Sequence, residues 1–142
     1  MIHHKIAIVV SQFNQDISDN LLEGAINCYE SNEGNIDNID IFKVPGAFEI
    51  PGVVKNLINK DSYKAIICFG SIIKGETAHF EYISSSVTDS LSFLSISDNT
   101  KIPILYGVLT TYNYNQALVR SRMDKKNKGG EAAKAVLSVL GI

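Results

Sequence analysis

The sequence is short of cysteine, net charge and long apolar runs, and each shortage excludes a class of protein. Only two cysteines occur, Cys28 and Cys68, both inside apolar periodic segments and without C-x-x-C spacing. That pattern indicates neither a zinc site nor a redox pair, and both read as buried thiols in a reducing compartment. Thirteen Lys and Arg against fifteen Asp and Glu leave a formal charge of −2, so the clustered positive surface of a nucleic-acid binder is missing. The basic cluster "RSRMDKKNK" (120–128) reads as a solvated helix end. The N-terminal "MIHHKIAIVV" has too short an apolar stretch for a signal peptide or membrane span, which points to a soluble, cytoplasmic protein. His3 and His4 read as an exposed terminus rather than metal ligands.

What remains is ordinary globular composition, 45% hydrophobic over 142 residues, which fits one domain spanning 1–142. Four apolar runs recur: "IAIVV" (6–10), "IDIFKV" (39–44), "AIICFG" (65–70) and "IPILYGVLT" (102–110). The first and third are apolar throughout, as strands covered on both faces must be, and this favours a central parallel sheet. Helical spacing fills the gaps. "SDNLLEGAINCYE" offers Ser18 or Asn20 as a cap, the latter with Glu23 in capping-box position. "PGVVKNLINK" has Pro51 in its first turn. "HFEYISSSVTDSLSFLS" repeats Phe80, Ile83, Val87, Leu91 and Leu94 at helical intervals. Two more helices follow, in "YNQALVRS" and "GGEAAKAVLSVL". "NEGNIDN" and "KKNKGG" read as turns. The order βαβαβαβαα predicts a three-layer α/β/α sandwich of the flavodoxin-like kind, with a four-stranded parallel sheet flanked by helices.

In such a sheet ligands bind beyond the carboxyl ends of the strands. That rule selects "SQFN", "VPGAFE", "GSIIKGETAH" and "LTTYN". In the third of these, a helix starting near Thr77 leaves the backbone N–H groups around Gly75, Glu76 and Thr77 free to meet an anion. His79 then stands one turn in, and imidazole can take and return a proton near neutral pH. The bland alternative is a turn at Gly75, a Thr77 cap and a surface histidine. Phe13 is either core or a ring positioned to stack on a planar ligand, and Glu49 could simply serve a helix start.

Together "SQFN", "VPGAFEIP", "GSIIKGETAHFEY", "YGVLTT" and "NKGGEAA" resemble the lumazine synthase family, along essentially the whole chain. The resemblance implies a cofactor-independent enzyme of riboflavin biosynthesis. That enzyme condenses 5-amino-6-(D-ribitylamino)uracil with 3,4-dihydroxy-2-butanone 4-phosphate to give 6,7-dimethyl-8-ribityllumazine, phosphate and water. It implies stacking by Phe13, a ribityl-binding loop at Ala47, Phe48 and Glu49, and further substrate contacts at Ser71, Ile72, Ile73 and Tyr106. It implies phosphate binding at Gly75, Glu76 and Thr77, proton transfer by His79, and Arg120 and Lys128 supplied by a neighbouring subunit. The resemblance also implies a homopentamer with interfacial sites, with a sixty-subunit shell left open. Gln12, Tyr106 and Asp124 depart from common family residues, and the chain starts at its first strand without the extension of many relatives. The rival readings are a non-catalytic flavin- or nucleotide-binding module, a pentameric riboflavin synthase, and a shell protein without activity.

Overall fold

The computed structural model describes residues 5–141; His3 and His4 lie outside the described residues. Four strands, β1 (Ile6–Ser11), β2 (Ile39–Val44), β3 (Ala65–Ile73) and β4 (Ile104–Thr111), alternate with helices. The helices are α1 (Gln15–Ser31), α2 (Ile50–Lys60), α3 (His79–Ile96), α4 (Tyr114–Ser121) and α5 (Lys128–Val139). The strands form one parallel sheet in the order β2-β1-β3-β4. The predicted fold class is borne out.

The apolar continuity of β1 and β3 has the cause inferred from sequence. Every β1 residue is buried and only Ile73 of β3 is not, whereas β2 and β4 at the edges are half-exposed. Alternation along the inner strands divides the core into two layers. Ile6, Ile8, Val10, Ala65, Ile67 and Phe69 pack with Ile17 and Leu21 of α1 and Val136 of α5. Ala7, Val9, Ile66 and Cys68 pack with Val54 and Leu57 of α2 and Val87 and Leu91 of α3. Each fully buried aliphatic side chain contributes about 1.5–3 kcal/mol, so this double coverage holds the sheet. Burial pushes the Cys68 thiol up to about 12, which makes it inert at neutral pH. Cys28 is only half-buried.

Several boundaries differ from the sequence reading, for physical reasons. The first helix begins at Gln15, not at Ser18 or Asn20, because Asn14 adopts a left-handed conformation (φ 58°) that turns the chain straight out of β1. Ile17 and Leu21 then extend the buried stripe one turn upstream. β3 runs on through Ile73 because β4 pairs with it as far as Thr111, taking Ser71, Ile72 and Ile73 into the sheet. α3 begins at His79 itself, so the histidine opens the helix instead of standing one turn in.

The "NKGG" stretch is more than a turn. Asn127 is buried; its amide nitrogen lies 2.7 Å from the Ser121 carbonyl and 3.2 Å from the Asn20 carbonyl, and its Oδ1 accepts from the Gly130 N–H at 3.1 Å. One side chain thus caps α5 and ties it to α1. At Gly129 a β-carbon would stand 1.8 Å from the Leu21 carbonyl oxygen, so only glycine permits that helix approach. No described helix is long and apolar enough to cross a membrane.

Candidate active site

A cavity of about 570 Å³ opens at the carboxyl ends of β1, β2 and β3. The strand order reverses direction beside β1, where the first crossover goes to β2 on one side and the next to β3 on the other, so the hollow sits where an open α/β sheet places ligands. Its apolar surface and few polar groups are those of a small-molecule site.

Each wall has a local origin. The Gln12 and Phe13 N–H groups donate to the Val44 and Pro45 carbonyls at 2.8 and 3.0 Å, continuing the β1–β2 ladder past its end. Phe13 is thereby presented at the rim, 71% exposed, as a platform rather than a core residue. Asn14 does not cap α1; its amide reaches across to the Ser71 carbonyl at 2.9 Å and joins the β1 loop to β3. The second wall is Pro45 to Glu49, where Glu49 Oε1 accepts from the Gly46 N–H at 2.9 Å. Glu49 therefore braces its own loop and makes no side-chain cap at the start of α2, while Phe48 stays 59% exposed above the cavity.

The third wall is β3 and the turn after it. Ser71, Ile72 and Ile73 line the floor, followed by Gly75, Thr77 and His79. Ser71 Oγ is buried without a hydrogen-bond partner in the protein, and a buried hydroxyl left unpaired is costly unless a ligand meets it. Gly75 has open space where a side chain would project. Ala78, at the start of α3, supplies no side-chain cap, and Thr77 Oγ1 accepts from the His79 N–H over a long 3.3 Å. First-turn N–H donors of α3 are thus left available beside His79. Phe80 and Ile83 also line the cavity. Their helical spacing marked them only as an inward face, and they serve both core and site.

The remaining expected site residues lie elsewhere. Glu76 faces a shallow hollow on the outer side of the turn, with Lys74 and Glu81. Tyr106, on the edge strand β4, has its hydroxyl 2.9 Å from Thr88 Oγ1, and desolvation raises the pKa of that phenol. It shares a separate hollow of about 250 Å³ between β4 and α5 with Lys128, whose Nζ is 3.0 Å from Glu131. Arg120 is exposed on α4, one guanidinium nitrogen donating to the Gln116 carbonyl at 3.0 Å. No described lysine or arginine lines the main cavity. Among the described residues no group of three or more His, Cys, Asp or Glu is placed to hold a metal ion.

The family model for 6,7-dimethyl-8-ribityllumazine synthase matches residues 3–142. The chain belongs to that family. A relative from Caulobacter vibrioides, 6,7-dimethyl-8-ribityllumazine synthase 1, is 45% identical over 136 residues, covering 96% of this chain and 88% of the relative. Lumazine synthases are transferases of riboflavin biosynthesis, so the family expected from "VPGAFEIP" and "KGETAHFEY" is borne out.

Proposed function

We propose that this chain condenses 5-amino-6-(D-ribitylamino)uracil with 3,4-dihydroxy-2-butanone 4-phosphate in the cavity at the carboxyl end of its sheet, forming 6,7-dimethyl-8-ribityllumazine and releasing phosphate and water. The observation that carries the site reading is the convergence of an exposed ring, a braced loop and a weakly capped helix start on one hollow holding a single imidazole. Phe13 stacks on the pyrimidine, since an exposed aromatic face recognises a planar ring. The Ala47–Glu49 backbone, Ser71 Oγ and the apolar floor at Ile72 and Ile73 take the ribityl chain and the ring edge. Gly75, Glu76 and Thr77 meet the phosphate through backbone N–H groups.

The chemistry needs protons moved several times. The amine adds to the ketone, water leaves as an imine forms, phosphate is eliminated, and ring closure follows. His79, as the first residue of α3, is the proton carrier of the cavity, accepting from one group and returning to the next. Holding two reactants in register supplies much of the remaining acceleration.

A phosphate dianion in a cavity without lysine or arginine lacks a permanent counter-charge. Arg120 and Lys128, both away from the cavity, fit that need only as contributions from a second copy, and Arg's planar fork suits a bidentate phosphate clamp. Tyr106, 45% exposed on the edge strand β4, is read as a further contact contributed by the same second copy. The reading requires an oligomer, and the family resemblance makes it a homopentamer, acting in the cytoplasm.

Mixing purified protein with both substrates tests the reaction through lumazine fluorescence and released phosphate; a folded protein that yields neither sinks it. Sharing of the site is tested by coexpressing His79→Ala and Arg120→Ala chains. Mixed oligomers regain activity above either variant alone if the two residues come from different subunits, and no recovery rules that out.

A further inference from the structure

Tyr112, the residue after β4, touches the chain on both sides of the turn at Gly75–Ala78. Lys74 Nζ stands 5.8 Å from its ring centroid, before the turn. The Phe80 ring, just after the turn, lies 6.2 Å away, tilted by 43°. Both distances fall inside the ranges where a cation and an aromatic edge attract a ring. The Lys74 N–H also donates to the Thr111 carbonyl at 2.9 Å, carrying the β3–β4 ladder to the very edge of the turn. The base of this contact is itself held. The Tyr112 N–H donates to Gln116 Oε1 at 2.8 Å, and Asn113 caps α4 through the Gln116 N–H at 2.9 Å.

The turn has little else to hold it. Residues 74–79 are exposed, and the described hydrogen bonds to residues 75–78 are two long ones, the His79 N–H to Thr77 Oγ1 and the Tyr82 N–H to the Ala78 carbonyl, both 3.3 Å. A segment with so few buried contacts opens easily unless its ends are fixed.

We infer that Tyr112 is a positioning residue for the anion-binding turn, its ring pinning Lys74 and Phe80 so that the N–H groups between them stay at the spacing a phosphate needs. This rests on the reading of Gly75–His79 as the phosphate end of the site. Tyr112 acts through the turn and touches no substrate. Because the contacts use the ring, the hydroxyl is dispensable.

The test compares Tyr112→Ala, Tyr112→Phe and the native enzyme by steady-state kinetics and by amide hydrogen exchange at Lys74 and Tyr82, whose N–H groups are bonded to the Thr111 and Ala78 carbonyls at the two ends of the turn. In Tyr112→Ala the KM for the phosphorylated substrate rises roughly fivefold, in line with a small misplacement of a binding group, the KM for the uracil substrate holds, and the Lys74 and Tyr82 amides exchange faster. Tyr112→Phe restores native values. Unchanged exchange and unchanged KM in folded Tyr112→Ala overturn the brace while leaving the site reading intact. Faster exchange with an unchanged KM overturns the positioning role because the turn then does not bind phosphate. Should Tyr112→Ala fail to fold, Tyr112→Leu keeps apolar bulk without the ring and is read in the same way.

Discussion

The two ends of the sheet are built to opposite rules. At the amino end, the buried Tyr63 hydroxyl donates to Asp40 at 2.7 Å, Lys5 pairs with the same carboxylate at 3.2 Å, and Phe42 meets the Tyr63 ring edge-on. Every polar group of that cluster has a partner, and the result is structural. At the carboxyl end, the first three helices begin beside the cavity with no side-chain cap or only the long Thr77 bond, whereas Asn113 and Asn127 cap α4 and α5. Of the described buried hydroxyls without partners, Ser11, Ser18, Ser71 and Ser84, Ser71 is the one that lines the cavity. Unmet hydrogen-bonding capacity at the cavity thus consists of the Ser71 hydroxyl and the weakly capped helix starts, and its cost is borne by the satisfied remainder of the fold.

The contrast can be broken by substitution, and the largest effect is expected where a satisfied group is removed. Asn127→Ala deletes a buried amide serving two carbonyls and a helix N–H, and stability measured by urea unfolding falls by about 3 kcal/mol. A loss under about 1 kcal/mol contradicts the claim that this residue ties α5 to α1. At the opposite pole, His79→Ala leaves unfolding unchanged and slows turnover about 100-fold, equivalent to about 2.7 kcal/mol on the barrier. Unaltered kcat removes the histidine from the chemistry.

Next comes Tyr63→Phe, which lowers stability by about 1 kcal/mol with native kinetics. Tyr63 also predicts a pH dependence. Burial, with the Asp40 hydrogen bond and charge, pushes its pKa from 10.0 up to about 12, so the unfolded chain gives up the proton first. The contribution is complete below pH 10 and is lost as pH rises toward 12. The Tyr63 hydrogen bond, aided by Lys5, holds Asp40 below the usual carboxylate value; its contribution is present above that value and disappears on acidification. Tyr63→Phe flattens the alkaline limb of stability against pH. The smallest stability effect belongs to Ser71→Ala, within about 0.5 kcal/mol of native because no protein partner is lost, while the KM for the uracil substrate rises several-fold. Marked destabilisation instead means that Ser71 is paired within the fold.

Much of this was legible in the chain because it depends on neighbours in sequence. The apolar runs of β1 and β3 declared their double coverage, Pro51 marked the first turn of α2, and "VPGAFEIP" with "KGETAHFEY" declared the family. Helix starts were misread where a distant group decided them. Asn20 carries every local sign of a cap, yet it is overruled by the left-handed Asn14, whose side chain is engaged by Ser71, 57 residues away. "KKNKGG" has the composition of a turn, and nothing local reveals that Asn127 reaches Asn20 across 107 residues.

By itself the sequence determined which segments are strands and helices, that the sheet is covered on both faces, and which family the chain belongs to. The first two follow from side-chain periodicity and local backbone preference. The tertiary structure decided the strand order β2-β1-β3-β4, the gathering of Phe13, Ala47, Ser71 and His79 around one cavity, and the location of Tyr106, Arg120 and Lys128 away from it. The reason is that a cavity is a relation between segments far apart in the chain, created only when burying both faces of the sheet forces their ends together.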